Sequence, residues 1–148
     1  MYKHILVAVD GSDTSDLALQ EAIKLAGEMG SQLRIVHVVD FAAPNWDTEF
    51  INVVEILEAM SKSGEAILNK ASSVAREAGI TAETRLVKIE SLGQRITETI
   101  AEEADKWHAD LIVLGTHGRR GFSHLLLGSV AEGVVRVATK PVLLIRGK

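Results

Sequence analysis

Leu111-Ile112-Val113-Leu114-Gly115-Thr116-His117-Gly118-Arg119-Arg120-Gly121-Phe122-Ser123-His124-Leu125-Leu126-Leu127-Gly128-Ser129 is the stretch on which the fold turns. An apolar run enters a glycine-rich, basic loop. A second Gly-Ser pair then opens a pattern with Val130, Val134, Val135 and Ala138 at helical spacing. A strand that leads through glycines into a helix suits phosphate. Glycines let backbone N–H groups close on an anion, and the helix N-terminus adds a favourable dipole. Neither G-x-G-x-x-G nor G-x-x-x-x-G-K-[ST] occurs, so the chain has no dinucleotide fingerprint and no P-loop.

The same alternation extends outward in both directions. Ile5-Leu6-Val7-Ala8-Val9 is a continuous apolar run of the kind that fills a parallel strand buried on both faces. Asp10-Gly11-Ser12-Asp13 ends it, and Leu17, Ala18, Ala22, Leu25 and Ala26 follow at helical spacing, with Ser12 or Asp13 as N-cap and Gly30 as the stop. Leu33 to Val39 reads as a second strand. An irregular connection holding Pro44, Asn45 and Trp46 leads to a long helical pattern over residues 49–78, which is one helix or two broken at Gly64. Residues 81–89 form a third, more polar strand expected near a sheet edge. Ser91-Leu92-Gly93-Gln94 fits a capping box for a helix through Ile96, Ile100 and Ala104, and Ser129-Val130-Ala131-Glu132 fits another. Pro141 introduces a last strand, Val142–Ile145.

The order βαβαβαβαβ predicts an α/β fold: a single domain over residues 1–148, with a doubly wound, five-stranded parallel sheet in the order 3-2-1-4-5 and right-handed crossovers. Ligands of such sheets bind outside the carboxyl ends of the strands, where connections leave in opposite directions. Here that switch point lies between strands 1 and 4. The segments emerging there are Asp10-Gly11-Ser12 and Gly115-Thr116-His117-Gly118.

Composition narrows the chemistry. A formal net charge of −4 gives no general case for a nucleic-acid partner. The absence of cysteine excludes disulfides, thiolate metal sites and thiol nucleophiles. His4, His37, His108, His117 and His124 show no H-E-x-x-H or paired metal spacing, and no Ser-His-Asp arrangement can be read from spacing. Without a signal-peptide h-region or a long uncharged apolar stretch, no membrane insertion and a cytoplasmic location are expected.

Gly115-x2-Gly118-x9-Gly128-Ser129 matches the G-x2-G-x9-G-[ST] motif of the ATP-binding universal stress proteins. The first strand with Asp10-Gly11-Ser12, the Val36-His37-Val38-Val39 strand and the Lys140-Pro141-Val142-Leu143-Leu144-Ile145 ending also resemble that family, so the likeness covers essentially the whole chain. It implies an adenine-nucleotide alpha-hydrolase-like (Rossmann-like) fold that binds ATP. Gly115 and Gly118 would line ribose and phosphates, flanked by Leu114, Thr116, His117 and Arg119. Gly128, Ser129 and Val130 would meet the β- and γ-phosphates. Asp10, Val38 and the Ala8–Val9 backbone would flank adenine and ribose. Mg2+ or Mn2+ would be held mainly by the phosphates. Some relatives carry a hydroxyl residue two positions after the motif serine; Ala131 stands there in this chain, one polar contact fewer.

Several residues keep two readings. Ser129 is a phosphate ligand, an N-cap paired with Glu132, or both. Asp10 is a turn residue or a ligand, and its switch-point position favours the ligand. Arg119 and Arg120 neutralise triphosphate or face water. Trp46 and Phe50 close over the nucleotide or pack the long helix, and Trp107 packs at a helix end. The apolar last strand lies at a sheet edge, and two-fold pairing there, common in the family, would give a homodimer. The expected function is a nucleotide-dependent regulator of the stress response. The alternatives are a slow ATP or other nucleotide hydrolase, and an interaction domain with an empty loop.

Overall fold

Ile5, Leu6 and Val7 are buried in succession. A strand can bury successive residues only where both faces of its sheet are covered, because neighbouring side chains point to opposite sides. The structure, a computed structural model, describes residues 2–41, 53–117 and 127–147. In chain order the elements are β1 (His4–Ala8), α1 (Asp13–Met29), β2 (Gln32–Asp40), α2 (Val53–Glu77), β3 (Glu83–Ile89), α3 (Ile96–Trp107), β4 (Leu111–Gly115), α4 (Ser129–Val137) and β5 (Val142–Ile145). The five strands are all parallel and lie in the order β3-β2-β1-β4-β5. Fold class and strand order are those read from the sequence.

The period of two divides the apolar runs between two cores. Ile5, Val7, Leu33, Ile35, Leu111 and Val113 pack against Ala18, Leu19 and Ala22 of α1 and Leu68, Ala71 and Ala75 of α2. Leu6, Val36, Ile112 and Leu114 face the other way, against Ile100 and Ala104 of α3 and Val134 of α4. Each fully buried aliphatic side chain contributes about 1.5–3 kcal/mol. β3 lies at an edge as its polar composition predicts, and its Glu83 pairs with Arg34 at 2.6 Å.

Three local readings are resolved or corrected. α2 is unbroken over Val53–Glu77. Gly64 sits inside it because the helix presses on the sheet: an added Cβ would stand 2.8 Å from Leu86 Cδ1, 3.0 Å from His37 Cδ2 and 3.1 Å from Val39 Cγ2. The capping box at Ser91 does not form. Residues 91–94 instead make a turn in which Gln94 N–H donates to Ser91 O at 3.3 Å, and Gly93 takes φ 92°, a value outside any right-handed helix. α3 therefore starts at Ile96 with no side-chain cap. The box at Ser129 does not form either. Gly128 is the N-cap, Ser129 is the first helical residue, and Glu132 points down the helix to Arg136 at 2.9 Å.

The end of the sheet opposite the switch point is tied together by polar and aromatic contacts. Asp110 Oδ2 accepts the N–H groups of Lys3 and His4, each at 2.9 Å. Trp107 closes α3, edge-on to the His4 ring at 5.0 Å, with the Arg34 guanidinium 4.9 Å from its ring centre.

Candidate nucleotide site

β1 continues its bonding one residue past its end, Val9 N–H donating to Val36 O at 2.8 Å, and then turns at Asp10. Three side chains build the turn. Asp10 Oδ1 accepts from Ser12 N–H at 2.9 Å, Ser12 Oγ accepts from Ser15 N–H at 3.2 Å, and Ser15 Oγ accepts from Asp10 N–H at 3.1 Å. Ser12, not Asp13, is the N-cap of α1. Gly11 between them has φ 84°, which favours glycine.

β4 ends beside that turn. A Cβ on Gly115 would lie 2.7 Å from Thr14 Cγ2 and 3.2 Å from the Thr14 carbonyl carbon, so glycine lets β4 abut the first turn of α1. Thr116, buried, is held on both main-chain sides. Its N–H donates to Ile145 O at 2.9 Å, and its carbonyl accepts Gly128 N–H at 2.7 Å. The second bond draws the two ends of the glycine loop together and places α4 at the end of β4. The Thr116 hydroxyl lies 3.0 Å from His117 Nδ1.

The N-cap of α4, Gly128, has no side chain with which to cap the helix. The first-turn N–H groups of Ser129, Val130 and Ala131 have no intrahelical acceptor, and no side chain caps them among the described residues. A helix start carries partial positive charge, and this one stands beside a peptide corner already fixed by the Thr116 bonds. Ala8, Val38, Leu114 and Val130 supply the apolar part, all packing on the α3–α4 side of the sheet. The Val9 side chain belongs to the opposite core, so only its main chain faces the switch point.

Ala8, Asp10, Val38, Leu114, Gly115, Thr116, His117, Gly128, Ser129 and Val130 thus meet around the carboxyl ends of β1, β2 and β4. Gly118, Arg119, Arg120, Trp46 and Phe50 lie outside the described residues. Ser15, Thr14 and the Thr116 carbonyl were not singled out from sequence. Their contacts join side chain or main chain across different elements, and no spacing announces them. A cleft of about 490 Å3 between α1 and α2, bounded by Leu19, Ile67 and Lys70, lies on the other face and meets this site at Val9 and Gly11. No group of three His, Asp or Glu side chains among the described residues converges to hold a metal ion. No described helix is long and apolar enough to cross a membrane.

These features define a doubly wound α/β protein with a helix N-terminus standing at its topological switch point. The chain belongs to the universal stress protein family, whose sequence profile matches residues 1–146. It is 35% identical to universal stress protein MJ0531 of Methanocaldococcus jannaschii, over 99% of this chain and 83% of that protein. It is 36% identical to universal stress protein YxiE of Bacillus subtilis, over 99% and 100% of the two chains. Among solved structures, the universal stress protein from Archaeoglobus fulgidus in complex with dAMP superposes with a TM-score of 0.69 at 30% identity, covering 97% of this chain and 98% of that one. A universal stress protein in complex with cAMP gives a TM-score of 0.72 at 28% identity, covering 97% of each chain.

Proposed function

We propose that this chain is an ATP-binding universal stress protein, acting over residues 1–148 as one nucleotide-dependent regulatory domain in the cytoplasm. The observation that carries the reading is the Gly128 N–H to Thr116 O bond of 2.7 Å, which sets the start of α4 against the end of β4. Phosphates would take the N–H groups of Ser129 and Val130 and the Ser129 hydroxyl, with Gly118 and Arg119 completing the loop side. Adenine and ribose would lie over Ala8, Val38 and Leu114, beside Asp10 and the Val9 main chain. The relatives solved with cAMP and dAMP support an adenine nucleotide as the ligand class. The donor set offers hydrogen bonds and an apolar floor, which fits a nucleotide. A divalent cation, Mg2+ or Mn2+, would be held by the phosphates and supply charge neutralisation there.

A homodimer through β5 completes the proposal. Val142, Leu143, Leu144 and Ile145 stand at a sheet edge, each only partly buried, and two-fold pairing would cover them. Titration calorimetry with ATP, AMP, cAMP and dAMP tests the ligand, run beside an assay for ADP release. Binding of ATP without turnover supports a regulator; steady ADP release lost in Ser129→Ala would make the chain a hydrolase.

A further inference from the structure

We infer that His37 is a positioning residue for the nucleotide: through its ring it fixes the Val9–Asp10 peptide that sets where the Asp10 carboxylate points. The inference rests on the nucleotide reading above and extends it to a residue outside the motif.

The His37 ring is buried on the α2 side of β2, between Ile35 and Val39 on the same face. A polar ring in an apolar row costs desolvation unless it is bonded. Its Nδ1 lies 2.7 Å from Val9 O. The partner is a carbonyl, so Nδ1 carries the proton and donates. The location of that carbonyl gives the bond its meaning. Pairing of β1 with β2 ends at Ala8 opposite Val36, so Val9 O lies past the end of the ladder, where the chain swings into the turn. The His37 side chain takes over where the sheet stops.

The same peptide is held from its other side. Asp10 N–H donates to Ser15 Oγ at 3.1 Å, and Ser15 is buried. The carbonyl and N–H of one peptide plane are thus fixed by two buried side chains, one on β2 and one on α1. A peptide plane held at both ends leaves Asp10 little freedom beyond its own side-chain torsions, and Oδ1 is further held by Ser12 N–H at 2.9 Å. Gly64 belongs to the same device, since α2 approaches the ring so closely that an added Cβ would stand 3.0 Å from His37 Cδ2. The phosphate end, Gly128 and Ser129, is built by other bonds and does not depend on this peptide.

That separation makes the test specific. ATP and inorganic triphosphate are titrated into the wild type, His37→Phe, which fills the space without a donor, and His37→Asn, whose amide N–H can replace Nδ1. His37→Phe is expected to weaken ATP about tenfold, one hydrogen bond's effect, with triphosphate unchanged and His37→Asn within about threefold of wild type. Wild-type ATP affinity in His37→Phe overturns the inference, as does equal loss of both ligands with no recovery in His37→Asn. Should His37→Phe not fold, Ser15→Ala removes one buried oxygen from the other side of the peptide; an ATP affinity about fivefold weaker is expected, and an unchanged one overturns the inference. A wild type that binds no ATP refutes the nucleotide reading and this inference with it, a result distinct from a wild type that binds and variants that bind alike.

Discussion

Ser129 is the first residue of α4, and its N-cap, Gly128, has no side chain to cap the first-turn N–H groups. If that end receives phosphate, Ser129→Ala removes a charge-assisted hydrogen bond worth about 1.5–3 kcal/mol, or roughly ten- to hundredfold in ATP affinity by calorimetry, while the melting temperature stays near that of the wild type. A fall in stability with unchanged affinity would return Ser129 to a purely structural role. Gly64 is the converse case, structural by its contacts. Gly64→Ala forces a methyl against Leu86, His37 and Val39, and is expected to cost about 1–3 kcal/mol in urea unfolding despite alanine's better helix propensity. Asp110 supplies a pH dependence. The backbone N–H bonds from His4, then Lys3, together with the nearby His4 and Lys140 charges, hold its carboxyl below its ordinary value of 3.8. Its folded value lies below its unfolded one, so its stabilising effect is full above the ordinary carboxylate range and is lost as pH falls through the lowered value. Asp110→Asn keeps an acceptor oxygen but cannot titrate. The gap between the two urea midpoints should therefore narrow as pH is taken from about 7 to about 3. A gap that holds constant contradicts the assignment.

At the scale of elements, the strands were legible because burial on both faces writes itself as uninterrupted apolar runs, as at Ile5-Leu6-Val7 and Leu111-Ile112-Val113-Leu114. The strand order followed from alternation with helices, and that order set the end of β4 beside the end of β1. Helix starts were less legible. Ser129 and Glu132 carry the letters of a capping box, yet Gly128 at φ −64° and ψ 154° makes itself the cap and moves the serine into the helix. Ser91 fails for a different reason, since the positive φ of Gly93 turns the chain before α3 begins. Gly64 looked like a helix break because an isolated glycine weakens a helix; the sheet beneath it overrides that propensity. In the candidate site, the motif spacing marked Gly115, Gly128 and Ser129. The bonds of His37 and the Thr116 carbonyl were invisible, because each joins groups that only the fold makes neighbours, and the local Ser15 bond to Asp10 has no spacing signature that marks it.

For the whole molecule, the proposed assembly and the proposed ligand are separable. β5 is a four-residue edge strand at the opposite side of the sheet from β3. Leu143→Lys would place a charge in a two-fold pairing of that edge. It is expected to convert a dimer to a monomer in sedimentation while ATP binding persists, since β5 enters the site only through the main-chain oxygen of Ile145, which Leu143→Lys leaves in place. A wild type that sediments as a monomer would refute the dimer and leave the site untouched. The central claim is that the glycine loop and the start of α4 together hold ATP. Its most direct test is mass identification of the nucleotide released from the purified wild type and from Gly128→Val, with ATP titration of each. Gly128 is buried and bonded to Thr116, so a branched side chain there should spread the two halves of the site apart. The account predicts an adenine nucleotide in the wild type, with micromolar-range or tighter ATP binding of about 8 kcal/mol, and neither in Gly128→Val. A wild type that carries no nucleotide and gives no heat with ATP, or a folded Gly128→Val that binds ATP as well as the wild type, would contradict it.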